Sequence, residues 1–168
     1  MPFVVAFVSD RDGNEEIYTL NTVCASFCYG LGYKNLTNNP ANESEPLWSP
    51  SGDQIVFVSD RDGNKEVYVA DADGGNQTNI TENAKADLSP SWSPDGTRIA
   101  FSSSYDGDYE INLIDSDGSS VSRKRITNNI AFPDTHPSWS PDGTRILFAS
   151  NKGVRNRIYV MNQDGSDE

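Results

Sequence analysis

The stretch "WSPDGTRIAFSS", Trp92 to Ser103, returns as "WSPDGTRILFAS", Trp139 to Ser150, and in looser form as "WSPSGDQIVFVS", Trp48 to Ser59. The three tryptophans are 44 and 47 residues apart. A period of that size marks a chain built from stacked supersecondary units, none of which buries its apolar surface alone. The flanking residues repeat in the same order. Leu36-Thr37, Ile80-Thr81 and Ile126-Thr127 come first, and Pro-x-Trp-Ser-Pro follows at Pro46, Pro90 and Pro137. An apolar run, a polar Gly-containing turn and a second apolar run come next. Asp73-Gly74, Asp117-Gly118 and Asp164-Gly165 close the units.

This order predicts four short strands per unit, of four to six residues each. The runs are β-branched or aromatic and are bounded by Gly, Pro, Asn and Asp. Ser-Pro-Asp-Gly suits a type I turn, because Pro presets its own φ and Gly relieves the conformation that follows. Asp-Gly between apolar runs is a hairpin signal. No window keeps a helical period, so the chain is expected to be all-β. "FVVAFV" and "IVFV" are apolar at successive positions, hence on both faces of a strand. Such a strand lies between two packed sheets, as the middle strands of radially arranged blades do. The expected fold is a β-propeller of about four four-stranded blades, a single domain over 1–168. Its units run approximately over 1–37, 46–81, 90–127 and 137–168, with each Trp filling space between neighbours.

Composition narrows the function. The formal net charge is −12 in 168 residues, which argues against nucleic acid, since phosphate binding depends on Lys and Arg. Anionic membrane surfaces are disfavoured for the same reason. Arg123-Lys124-Arg125 is too short a basic cluster to reverse this and reads as a solvated strand end. No run approaches the roughly 18 apolar residues of a membrane helix, so no membrane insertion is expected. "MPFVVAFVSD" lacks a basic leader and a cleavage site. Its counterpart "QIVFVSDRDGN" lies inside the chain, so it reads as a strand.

"PSWSPDGTRIAFSS", followed by "DGDYEINLIDSDGS", resembles the TolB-like (PD40, WD40-like) repeat of bacterial β-propellers. That pattern is Trp-Ser-Pro-Asp-Gly, Ile-Ala-Phe, an Asp-Gly turn and Glu-Ile-Tyr. The likeness covers essentially the whole chain. It implies a propeller and a periplasmic or extracellular setting, although no signal peptide is visible. It leaves function open, because such propellers serve as binding platforms, assembly proteins and peptidase lids. Family propellers usually have six or seven blades. By analogy, the Pro-x-Trp-Ser-Pro strand is innermost and Leu-Thr marks the outermost. The first unit then lacks an innermost strand and the last an outermost one, so a strand-exchange latch cannot form. Three arrangements stay open: a fragment of a longer propeller, assembly with copies into a ring or head-to-tail filament, and a tight four-blade ring.

The expected function is that of a non-enzymatic binding or structural module whose partner is itself or another protein. An accessory propeller fragment of a hydrolase or peptidase is one alternative, and a calcium-dependent ligand binder is another. Catalysis is poorly supported. His136 is the sole histidine, and there is no Gly-x-Ser-x-Gly elbow and no phosphate-binding Gly loop. No cofactor is certain; calcium is the candidate. "SDRDGNEE" and "SDRDGNKE" put oxygen side chains on alternate residues, Asp10, Asp12, Asn14 and Glu16, and Asp60, Asp62, Asn64 and Glu66. Calcium takes about six to eight oxygens. The competing reading, a hairpin whose Asp and Asn bond local backbone, is supported by the resemblance. The third unit keeps Asp106, Asp108 and Glu110, and the fourth, "NKGVRNR", has no acid.

Cys24 and Cys28 could close a small disulfide loop in an oxidising compartment or remain thiols. With one histidine in the chain they do not form a zinc site. Asn35, Asn42, Asn76 and Asn79 begin Asn-x-Ser/Thr triplets, candidate glycosylation sites in an extracellular setting. The segment Thr22–Lys34 is the main departure from the repeat. Its Phe27, Tyr29 and Tyr33 are candidate partner contacts, against the alternative of a disulfide-pinned ornament.

Overall fold

The structure is a computed structural model that describes residues 4–21, 32–105, 107–119, 122–129, 132–152 and 155–168. It contains four antiparallel sheets, and no α-helix occurs among the described residues. Sheet one is β1 (Val4–Ser9), β2 (Glu16–Asn21) and β3 (Tyr33–Asn35). Sheet two is β4 (Glu43–Trp48), β5 (Gln54–Ser59), β6 (Glu66–Asp71) and β7 (Thr78–Asn79). Sheet three is β8 (Asp87–Trp92), β9 (Arg98–Ser103), β10 (Glu110–Asp115) and β11 (Lys124–Arg125). Sheet four is β12 (Asp134–Trp139), β13 (Arg145–Ser150) and β14 (Arg157–Asn162). Each sheet is a simple meander in chain order.

The innermost strands β4, β8 and β12 lie side by side and β1 lies against β4, so the sheets follow one another around a common centre. This is the propeller arrangement, in open form. Among the described residues no extensive contact joins sheet one to sheet four. Sheet one starts at the second strand of the repeat and sheet four stops at the third. Val4, Val5 and Val8 are therefore 40%, 48% and 38% exposed, whereas "IVFV" of β5 is fully buried. The sequence alone reads these two runs as equivalent. Among the described residues, β1 pairs with β2 alone, and no sheet packs on its other face.

The outermost strands are shorter than expected, three residues in β3 and two each in β7 and β11. Their residues are polar or charged, and short polar strands blunt an exposed sheet edge. Backbone bonding continues just past each one. Leu36, Ile80 and Ile126 donate to the carbonyls of Ile17, Val67 and Ile111.

Three apolar clusters fill the spaces between sheets. Ile17 and Leu36 of the first unit meet Ile55, Phe57, Tyr68 and Ala70, with Trp48 beside them. Val56, Val67 and Val69 meet Trp92, Ile99, Phe101 and Ile114. Ala100, Ile111 and Leu113 meet Trp139, Ile146, Phe148 and Met161. Each tryptophan thus sits where two sheets join, and Trp92 Nε1 also donates to the Leu47 carbonyl of the preceding sheet at 3.2 Å. Burying a side chain such as Phe101 contributes roughly 1.5–3 kcal/mol.

The repeated turn explains its own sequence. Gly52, Gly96 and Gly143 donate to the carbonyls of Ser49, Ser93 and Ser140, all at 2.9 Å. Their φ values of 77°, 72° and 71° lie in the left-handed region that glycine tolerates. The serine hydroxyls accept from the first amide of the next strand, Gln54, Arg98 and Arg145. Asp95 Oδ1 in turn accepts from the Ser93 hydroxyl at 2.6 Å and from Thr97 N at 3.0 Å, and Asp142 repeats both bonds. Every letter of Ser-Pro-Asp-Gly-Thr has a hydrogen-bonding or conformational task.

Candidate functional site at the bulged inner strands

Each innermost strand carries a proline at its centre: Pro46, Pro90 and Pro137. Proline has no N–H to give the ladder, so within a sheet it is confined to edge strands and bulges. The register breaks fall between Ser44 and Leu47, Leu88 and Ser91, and Thr135 and Ser138. The residue before each proline takes up the bulge in a left-handed conformation: Glu45 at 56°, Ser89 at 53° and His136 at 55°. A non-glycine residue in that region costs on the order of 1–3 kcal/mol. The surroundings hold it there. Ser89 N donates to Glu45 Oε2 at 2.6 Å and His136 N donates to Ser102 Oγ at 3.1 Å.

The three bulges converge. Glu45, Ser89, His136, their prolines and Leu47 line one open cavity of about 350 Å³. Glu45 and His136 are exposed, and Leu47 is 46% exposed. The cavity offers a carboxylate acceptor, an imidazole, a hydroxyl and an apolar floor of proline rings. No hydrogen bond joins Ser89 Oγ to His136 among the described residues. The charge, the polar groups and the proline rings are each able to contact a bound group.

A buried polar chain fixes the start of each inner strand. In the first junction Thr37 Oγ1 donates to Glu16 Oε2 at 2.6 Å and accepts from Ile17 N at 3.0 Å. Asn39 N donates to Glu16 Oε1, and the Asn39 amide donates to Glu43 Oε1 at 2.9 Å. Thr81, Glu66, Asn83 and Asp87 repeat the chain in the second junction. Thr127, Glu110, Asn129 and Asp134 repeat it in the third. Glu43, Asp87 and Asp134 are completely buried. Arg61 lies 3.3 Å from Glu43 and Arg123 lies 3.5 Å from Asp87. Among the described residues Asp134 accepts from the Asn129 amide, and its Oδ1 has no hydrogen-bond partner. Burial pushes the Glu43, Glu66 and Glu110 carboxyls above the ordinary glutamate range.

The alternate oxygens of the acidic turns are split among separate tasks. Asp12 and Asp62 accept from the Tyr18 and Tyr68 hydroxyls. Asp60 accepts from Asn42 N at 2.8 Å, while Asp10 is exposed. Asn14 donates to the carbonyls of Asn39 and Ala41, and Asn64 to that of Lys85. Glu16 and Glu66 face inward to the threonines. Among the described residues no group of three or more His, Cys, Asp or Glu is placed to hold a metal ion. The Arg of each turn lies over an aromatic pair: Arg11 is 4.4 Å from the Tyr18 ring and Arg61 is 4.5 Å from that of Tyr68.

Of the remaining sequence candidates, Cys24, Cys28, Phe27 and Tyr29 lie outside the described residues. Tyr33 is on β3, half exposed, edge-on to Phe7 and 4.6 Å beneath Arg11. The Asn35 and Asn79 carbonyl oxygens accept from the amides of Thr37 and Thr81. Asn42 and Asn76 are exposed and bond Asp60 and Asp71. The bulged residues and the buried acids escaped sequence reading. A signal for the acids was present, since Thr-x-Asn runs from Thr37, Thr81 and Thr127 are followed four or five residues later by Glu43, Asp87 and Asp134.

Open blades with tryptophan-filled junctions define a repeat β-propeller. The sequence matches the TolB beta propeller domain (PD40) over residues 3–89 and again over 77–168. The chain belongs to that family. A putative TolB from Agrobacterium tumefaciens is 29% identical with a TM-score of 0.80, over 98% of this chain and 59% of that one. TolB from Acinetobacter baumannii is 25% identical with a TM-score of 0.77, over 98% of this chain and 40% of that one. This chain therefore spans less than two thirds of either. A puromycin hydrolase is 13% identical with a TM-score of 0.73, over 95% of this chain and 25% of that one, a likeness of fold alone. No curated protein sequence matches the chain.

Proposed function

We propose that this chain is a non-enzymatic binding module that presents its bulge-lined cavity to a protein or peptide, with the propeller completed by further blades. The observation that carries this reading is the convergence of Glu45, Ser89 and His136 on one cavity. Three successive repeats retain a strained residue at the same bulge, and strained non-glycine residues cluster at binding sites. The exposed Glu45 carboxylate and the apolar proline floor favour a basic peptide with aliphatic side chains. The family favours a setting in the periplasm or outside the cell. No helix among the described residues is long and apolar enough to cross a membrane.

Titration calorimetry with a hexapeptide of alternating Leu and Lys tests the reading. Saturable binding is expected, weakened several-fold by Glu45→Gln, which keeps the acceptor for Ser89 N and removes the charge. Binding that neither Glu45→Gln nor His136→Ala changes would contradict it.

A further inference from the structure

The three junctions inside the chain obey one rule. Directly opposed residues of an antiparallel pair share a face, so β5 and β6 present two distinct surfaces. Ile55, Phe57, Tyr68 and Ala70 form the aromatic-bearing face and meet the sheet before them. Val56, Val67 and Val69 form the aliphatic face and meet the sheet after them. In sheet three, Ile99, Phe101 and Ile114 face backward and Ala100, Ile111 and Leu113 face forward. Sheet four turns Ile146, Phe148 and Met161 backward.

By register, one surface of each kind is left over. The backward face of sheet one carries Val5, Phe7, Tyr18 and Leu20. The forward face of sheet four carries Leu147, Val160 and Ile158. Leu147 and Val160 are partly exposed and Ile158 is 69% exposed, whereas their counterparts Val56, Val69 and Val67 are buried. A contiguous exposed apolar patch of this kind marks an association surface.

We infer that these two faces are the halves of a fourth junction and that the occupant of each is the opposite face of a second copy of this chain. The inference rests on the reading above that the arc is completed from outside. Three junctions in the same molecule show what an aliphatic face accepts: an aromatic-bearing face of the same repeat. Among the described residues the chain carries one of each, and the two do not meet. Contact between different surfaces of identical copies is heterologous. It gives a ring where the rotation closes and an open filament where it does not. Two copies bring eight blades, within the roughly four to eight of known propeller rings. The charge of −12 on each copy opposes contact at low salt, so association strengthens as salt screens it.

Two charge variants test the pairing, with folding checked by circular dichroism. Ile158→Glu spoils the forward face and Val5→Glu the backward one. Both positions are exposed in the single chain, so both variants fold. Sedimentation velocity of the unmodified chain at 0.3 M salt is expected to give species of two or more copies. A limit at two marks a ring, and a ladder marks a filament. Each variant alone is expected to self-associate at least a hundredfold more weakly, because a carboxylate buried without a partner is strongly unfavourable. Mixed together they still share one good junction and give a one-to-one heterodimer that grows no further. An unmodified chain that stays monomeric would overturn the inference and assign both faces to other blades, leaving peptide binding at the cavity to be judged on its own titration. Association that survives both variants, or a mixture that stays monomeric, would also overturn it.

Discussion

Thr37, Thr81 and Thr127 each use one oxygen twice, giving a proton to a buried glutamate and taking one from a buried amide. Valine has the same shape and neither function. Thr81→Val is therefore expected to cost about 1–3 kcal/mol, because Val67 N and Glu66 are left short of a partner. Thr37→Val and Thr127→Val should cost similar amounts in urea unfolding; near-neutral values would contradict the shared role. The same glutamates make stability depend on pH. Burial raises the Glu43, Glu66 and Glu110 carboxyls, with Asp87 adding to the effect at Glu66 and Asp134 at Glu110. A raised carboxyl holds its proton more tightly folded than unfolded. Its stabilising contribution is complete below the ordinary glutamate pKa and fades as pH rises through the folded value. Asp95 and Asp142 behave oppositely. The Ser93 and Ser140 hydroxyls, with the amides and hydroxyls of Thr97 and Thr144, hold them at about 2. Their contribution is complete above about pH 4 and is lost progressively as pH falls toward about 2. Thermal melts should rise as pH falls from 7 toward the ordinary glutamate value of 4.5 and fall again at lower pH; a melting temperature that drops steadily on acidification from pH 7 would contradict this.

At the scale of elements, the second hairpin of each unit reaches back to the unit before it. A Cβ on Gly165 would lie 2.4 Å from the Ile126 carbonyl oxygen, and one on Gly74 equally close to that of Leu36. Gly63 has a similar positive φ with open space around it. Gly165→Ala is expected to destabilise by about 2–4 kcal/mol, strain plus overlap, and Gly63→Ala by about 1 kcal/mol, strain alone; equal costs in urea titrations would refute the close approach. Arg123→Ala should cost about 2–3 kcal/mol, since it leaves the Asp87 carboxylate buried beside the Asn83 amide without its cation. Most strands were legible because each combines an apolar run with a turn whose every residue has a task. The outermost strands were legible only as Leu-Thr or Ile-Thr. Those pairs lie just past β3, β7 and β11, and the threonine serves the polar chain rather than the ladder. The acidic turns admit two readings in the sequence, a calcium site and a locally bonded hairpin, because alternate oxygens are close along the chain. Their side chains diverge to a tyrosine, an asparagine amide and a threonine. The cavity was not legible at all, because a bulge arises from the pairing of two strands, and Glu45, Ser89 and His136 share no chemistry that a single row of letters displays.

For the whole molecule, a period of 44 and 47 residues in the sequence becomes a repeated rotation in space. The two incomplete sheets leave apolar faces that the composition, with its large negative charge, gave no hint of. The central claim is that the four sheets are related by nearly the same turn about one axis. Asp73, Asp117 and Asp164 occupy the same exposed place on successive sheets. Spin labels placed pairwise at these positions, in a chain diluted with unlabelled copies, measure that relation by pulsed dipolar spectroscopy. Nearly equal separations are expected for 73–117 and 117–164, with a 73–164 separation longer than either and shorter than their sum. Unequal steps, or a 73–164 separation no longer than one step, would show that the sheets do not share an axis.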